Sequence, residues 1–133
     1  MENSSVRILV VEDFEPFRKL IRTLLEGKPG LQIIAEIADG QEAVQRVTEL
    51  KPCLILLDIG LPSLNGLAAA RLIRRLSPNS KILFVSQESS PEVIQEALCL
   101  GACGFVAKSR VGIDLLPALQ AVLLGGNFVS SGS

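Results

Sequence analysis

Five short apolar runs, each followed by a segment with helical spacing, constrain this chain more than any other feature. Val6 to Val11 is a β-branched and aliphatic run interrupted only by Arg7, the pattern of a strand covered on both faces. Phe14, Phe17, Leu20, Ile21, Leu24 and Leu25 then recur at helical spacing until Gly27 and Pro29 break the pattern. Leu31 to Ile37 reads as the second strand, and Asp39-Gly40 leads into a helix carrying Ala43, Val44, Val47 and Leu50. Lys51-Pro52 stops that helix, and Cys53 to Leu57 reads as the third strand, with Cys53 in the core. Leu64 to Leu76 is helical by period, Lys81 to Val85 is the fourth strand, and Pro91 suits the first turn of a helix running to about Leu100. Gly104 to Ala107 is a short fifth strand. A last helix, from about Gly112 to Leu124, sets Ile113, Leu116, Leu119, Val122 and Leu123 on one face.

Strict strand–helix alternation demands a parallel sheet whose right-handed crossovers lay helices on both faces. The length of 133 residues suits one domain, expected over residues 1–126, with 127–133 read as a Ser- and Gly-rich tail or the start of a linker. Hydrophobic residues make up 48% of the chain, yet no apolar run approaches the roughly 20 residues of a membrane span. The opening Met1-Glu2-Asn3-Ser4-Ser5 has neither a basic region nor an apolar stretch, so a native start, no secretory leader, a cytoplasmic location and no membrane partner are expected. With 13 basic and 14 acidic residues, the chain lacks the basic excess of a DNA-binding surface. Arg71, Arg74 and Arg75 read as a solvated helix face. Cys53, Cys99 and Cys103 have no His to complete a zinc set and read as reduced thiols.

In an open α/β sheet, sites form beyond the carboxyl ends of the strands. The first expected strand ends in Glu12-Asp13, the third in Asp58, the fourth in Ser86 and the fifth in Lys108. Carboxylates converging on one edge repel one another unless a cation intervenes. Mg²⁺ fits best, since it accepts a few carboxylates, keeps several waters and reaches out to phosphate. Lys108 would add a fixed positive charge and Ser86 a short hydroxyl donor, so the set would surround a phosphoryl group by positioning and charge neutralisation. A carboxylate nucleophile at Asp58 would then carry an aspartyl phosphate. Taken singly, Asp58 reads more readily as a cap than as a nucleophile, and Lys108 as an ordinary exposed lysine. Their joint placement carries the reading.

Ile8-Leu9-Val10-Val11-Glu12-Asp13, Leu56-Leu57-Asp58-Ile59-Gly60-Leu61-Pro62 with Asn65-Gly66, Val85-Ser86, and Gly101 to Lys108 together resemble the receiver domain of two-component response regulators. Lys108-Ser109, Asp58 to Pro62, Asp114-Leu115-Leu116 and Gly125 to Ser130 resemble its NarL/LuxR-type subgroup. The resemblance implies a flavodoxin-like doubly wound sheet of five parallel strands, order 2-1-3-4-5, with five helices. It implies that Asp58 is the phosphoacceptor, that Asp13 binds Mg²⁺ directly and Glu12 through water, and that the Gly60 carbonyl is a further ligand. Ser86 would move toward the phosphoryl group, Phe105 would be the aromatic switch coupled to it, and Lys108 would pair with the phosphate. A sensor histidine kinase is the implied donor, and a homodimer through the fourth helix, fifth strand and fifth helix a possible assembly. DNA contact would come only through a helix-turn-helix output domain beyond the linker.

Three positions depart from the common pattern: Leu61 for Met, Phe105 for Tyr, and the bulky pair Gln87-Glu88 after Ser86. The chain is expected to gain and lose its own phosphoryl group without acting as a turnover enzyme. The alternatives are a stand-alone or phosphorylation-independent interaction module, opposed by the intact acidic pair, acceptor and lysine, and an enzyme of the same architecture. An aspartyl-phosphate phosphatase would want a second Asp where Gly60 stands, and a flavin carrier would want Trp or Tyr, which the chain lacks.

Overall fold

The computed structural model describes residues 5–130. Elements run β1 Val6–Val11, α1 Glu15–Leu25, β2 Leu31–Ile37, α2 Gly40–Leu50, β3 Leu54–Leu57, α3 Gly66–Leu76, β4 Lys81–Ser86, α4 Pro91–Cys99, β5 Gly104–Ala107, α5 Val111–Leu123 and β6 Phe128–Val129. All pairings are parallel, and the strand order is β2-β1-β3-β4-β5-β6. The direction of winding reverses between β1 and β3, so a crevice opens beyond their carboxyl ends.

The largely apolar strands supply two cores at once, because successive side chains point to opposite faces. Leu9, Val11, Ile55, Leu57, Phe84 and Phe105 pack against α2, α3 and α4. Ile8, Val10, Leu54, Leu56, Val85 and Val106 pack against α1 and α5. Side-chain caps start α2, α3 and α4: Asp39 accepts from the Glu42 amide, Asn65 from Ala68 and Ser90 from Val93. Arg7 closes the other end of α2 by donating to the Leu50 and Lys51 carbonyls, and Lys51 takes the left-handed conformation there (φ 48°).

Several expectations are corrected. The sheet has six strands rather than five, because Phe128–Val129 pairs with β5 in the register Gly104↔Phe128 and Phe105↔Val129. Residues 131–133 of the expected tail, and 1–4 of the expected native start, lie outside the described residues. Cys53 is exposed. Its backbone joins the ladder through Arg7 and Lys81, but it stands at the amino edge of the sheet, before helices cover the strand. Phe14 and Leu20 are exposed as well, so only the Phe17, Ile21, Leu24 and Leu25 stripe of α1 faces the sheet.

The face of α5 is also rotated from expectation. Ile113 points to solvent at 66% exposure, while Val111, Asp114, Leu115, Ala118, Leu119 and Val122 turn inward. An aspartate on the inner stripe is what hid the true face from a hydrophobic reading. Asp114 is satisfied there by Arg110 (Nε to Oδ2, 2.9 Å) and by the Ser130 hydroxyl (2.7 Å). Among the described residues, no helix is long and apolar enough to cross a membrane.

Hydrogen bonds from Arg110 first, then Ser130, hold the Asp114 carboxyl below the usual aspartate value. A lowered folded-state value means stability that is fully present above the unfolded aspartate value of about 3.9 and is lost as pH falls through the folded one. In urea titrations, the stability advantage of wild type over Asp114→Asn should therefore hold constant from pH 5 to 8 and shrink below pH 4. A pH-independent difference would contradict the assignment.

Candidate functional site

The carboxyl ends of β1, β3, β4 and β5 meet in one cleft of about 540 Å³, lined by Glu12, Asp13, Asp58, Gly60, Ser86 and Lys108 together with Phe14, Gln87 and Glu88. Asp58 follows β3 directly, and its amide still donates to the Val11 carbonyl (3.0 Å), so sheet registration fixes the position of its backbone. Its carboxylate is buried, with Oδ1 accepting from the Ile59 amide at 2.8 Å. The loop beyond folds back hard, and the Gly66 amide donates to the Ile59 carbonyl at 2.7 Å. A Cβ on Gly66 would stand 1.9 Å from the Asp58 carbonyl oxygen, so any side chain there must displace the Asp58 backbone. The Asn65-Gly66 pair therefore has a local reason: Asn65 caps α3, and Gly66 lets that helix start against Asp58.

Glu12 is 2% exposed, its carboxylate held by Lys108 (Nζ to Oε1, 2.9 Å) and by the Phe14 amide (3.1 Å). Burial, followed by the neighbouring Asp58 charge, pushes the Glu12 carboxyl above its usual value, while the Lys108 hydrogen bond opposes the rise. Arg18 donates to the Glu12 carbonyl at 2.7 Å and pairs with Glu36, fixing the backbone of the acidic pair from α1. Lys108 also reaches Asp58 Oδ2 at 3.4 Å, and its ammonium sits 4.6 Å from the centre of the Phe17 ring. Neither Arg18 nor Phe17 was legible as a site residue. Phe17 reads as core and Arg18 as surface, and only the packing of α1 over the edge of β1 aims them at the cleft.

Asp13 is exposed and opens toward solvent, and carboxylate oxygens of Glu12, Asp13 and Asp58 lie within 4.8 Å of one another. Three oxygen donors at that spacing, two of them buried, suit a hard divalent cation. Gly60 lines the same cleft, with open space where a Cβ would stand. Ser86 is buried at the end of β4, and its Oγ accepts from the Glu88 amide at 3.0 Å, leaving the hydroxyl proton to be donated elsewhere. Phe105 is not in the cleft. It lies fully buried beneath, paired in register with Phe84 and tilted against that ring at 6.3 Å.

Gly66→Ala should cost about 1–3 kcal/mol through forced displacement of packed backbone, and should shift the Asp58 and Ile59 amide resonances. Gly60→Ala should stay within about 0.5 kcal/mol. Denaturant midpoints and amide spectra of the two variants test the contrast.

The family model described as the response regulator receiver domain matches residues 8–120. A transcriptional activator protein, ExaE of Pseudomonas putida, is 36% identical over 123 residues, covering 92% of this chain and 57% of the activator. A protein-glutamate methylesterase/protein-glutamine glutaminase of Thermotoga maritima is 34% identical over 117 residues, covering 86% of this chain and 34% of that protein. Among solved structures, a LuxR-family two-component response regulator from Aurantimonas sp. SI85-9A1 superposes with a TM-score of 0.89 at 33% identity, covering 96% of this chain and 91% of the other. The chain spans well under two thirds of the length of these two curated relatives. Fold, strand-end acidic cluster and family match converge: the chain belongs to the response regulator receiver domain family of two-component signalling and resembles its NarL/LuxR-type members.

Proposed function

We propose that Asp58 accepts a phosphoryl group from a phosphohistidine of a sensor kinase, with Mg²⁺ held by Asp13, Asp58, the Gly60 carbonyl and, through water, Glu12. The observation that carries this reading is the convergence of Glu12, Asp13, Asp58, Ser86 and Lys108 on one cleft, with the Asp58 carboxylate facing the Lys108 ammonium. One Asp58 oxygen attacks phosphorus, the phosphorus–nitrogen bond breaks, and the bonding pair returns to the imidazole. The metal supplies charge neutralisation between the carboxylates and the incoming phosphoryl oxygens. Lys108 is already within the cleft, so pairing with a phosphoryl oxygen needs a short swing away from Glu12. Ser86 keeps a free hydroxyl proton for another phosphoryl oxygen.

The modification adds about −1.5 to −2 charges at a site with one ammonium. Drawing Ser86 inward breaks its bond with the Glu88 amide and vacates space above Phe84 and Phe105, the pair two residues back from Ser86 and Ala107 along β4 and β5. That is the route by which Phe105 would act as the switch and remodel the α4-β5-α5 face, a face suited to homodimer formation. Glu88 lines the cleft and sets a negative charge against an incoming anion, so phosphoryl gain and loss should both depend on it. Receivers similar to this one belong both to transcriptional regulators and to methylesterases. The NarL/LuxR-type resemblance favours a cytoplasmic transcriptional regulator, with residues 1–126 as receiver and DNA reached through a separate output domain. The receiver itself gains and loses one phosphoryl group without acting as a turnover enzyme.

Beryllium trifluoride with Mg²⁺, a stable mimic of the phosphoryl group, should shift the Ser86 and Phe105 amide resonances, and EDTA should reverse the change. Asp58→Asn should abolish the response, and Lys108→Ala should weaken it by tenfold or more, since a buried charge-assisted hydrogen bond contributes roughly 1.5–3 kcal/mol. A response that survives in Asp58→Asn would remove Asp58 as acceptor. Absence of Mg²⁺ binding up to several millimolar would favour a phosphorylation-independent interaction module.

A further inference from the structure

A buried polar chain at the far edge of the sheet lies outside the lining of the Asp58 cleft. Ser130 and Asp114 are each 6% exposed. The Ser130 amide donates to the Phe105 carbonyl at 2.9 Å, continuing the β5–β6 ladder. The next ladder donor of β5, the Ala107 amide, finds the Ser130 hydroxyl at 3.0 Å in place of a backbone carbonyl. That hydroxyl donates in turn to Asp114 Oδ2 at 2.7 Å, and Arg110 donates to both Asp114 oxygens at 2.9 and 3.4 Å. Every group in the chain is satisfied, so removing one leaves a buried partner without a bond.

The location matters. Ala107 immediately precedes Lys108, and Arg110 ends the single 3₁₀ turn that Lys108 begins. The Ala107 peptide and Arg110 thus bracket the residue whose ammonium points at Glu12 and Asp58. The opposite end of the bracket belongs to the segment that follows α5, which is otherwise tied to β5 by backbone bonds from Phe128 and Ser130.

We propose that Ser130, held by Asp114 and Arg110, is a positioning residue for Lys108, and that docking of residues 127–130 on β5 is thereby coupled to occupancy of the Asp58 site. The inference rests on the reading of Asp58 as phosphoacceptor. A phosphoryl group that fixes Lys108 also fixes the Ala107 peptide and so favours the docked Ser130. By reciprocity, a docked Ser130 holds Lys108 ready for the phosphoryl group, and both effects have the same size. The departing segment then senses the phosphorylation state through a hydrogen-bonded path that does not use the Phe105 side chain.

The test uses the whole 133-residue chain, with beryllium trifluoride and Mg²⁺ as the probe. Ser130→Ala should weaken probe binding by about fivefold, as expected for one lost hydrogen bond, while Ser130→Thr, which keeps the hydroxyl, restores affinity. In wild type, saturating probe should slow hydrogen exchange at the Ala107 and Ser130 amides by a similar factor. Unchanged or tighter binding by Ser130→Ala overturns the proposal. If that variant is too unstable to titrate, the wild-type exchange experiment decides alone, and unchanged Ala107 and Ser130 exchange overturns it while a response at Ser86 and Phe105 leaves the phosphoacceptor reading intact. A wild-type chain that shows no response to the probe anywhere overturns both.

Discussion

Two carboxylates buried side by side, Glu12 and Asp58, are the constraint around which the rest of this domain is arranged. Charges removed from water are costly unless paired, and like charges at short range raise the cost. One ammonium, from Lys108, meets both. It can do so only because β5 lies two strands from β3 and delivers its carboxyl end to the same edge. The parallel sheet is therefore more than a scaffold: its order decides that the acids and their counter-charge share a cleft.

The neighbourhood supports this arrangement mechanically. Phe17 and Arg18 reach down from α1, the first to the Lys108 ammonium and the second to the Glu12 carbonyl. Gly66 seats α3 against the Asp58 backbone without room for a methyl group. On the other side, Ser130 and Asp114 hold the strand end from which Lys108 departs. A site so held has few ways to respond to added negative charge. In the proposed reaction the movable parts would be Lys108, which now pairs with Glu12, and Ser86, whose Oγ now accepts from the Glu88 amide.

In the proposed switch, Phe105 would serve the site without touching it. It is fully buried, and its contact with Phe84 lies one layer below the cleft floor. Its proposed influence would have to pass through packing, because it carries no hydroxyl with which to bond. The Ser130 path is different in kind, made of hydrogen bonds and running along the sheet edge. Two routes from one cleft, one apolar and one polar, lead to opposite flanks of β5.

Much was legible from sequence, for physical reasons that can be named. Dominantly aliphatic runs such as Val6 to Val11 and Leu54 to Leu57 fix doubly covered strands, and strand ends fix the candidates Glu12, Asp13, Asp58, Ser86 and Lys108, because backbone periodicity is a local property. Local rules failed where burial depends on what arrives from far along the chain. Cys53 looked like core but precedes the helix cover, and Ile113 looked inward but yields that face to an ion-paired Asp114. The segment after Gly126 looked like a linker, since its polar composition hides a serine with a buried job. Sequence alone determined the alternation, the sheet type and the chemistry available at its carboxyl edge. Tertiary structure decided which groups meet: Lys108 with Glu12, Phe17 with Lys108, Gly66 with Asp58 and Ser130 with Asp114, because those contacts depend on strand order and helix rotation that no short window of residues encodes.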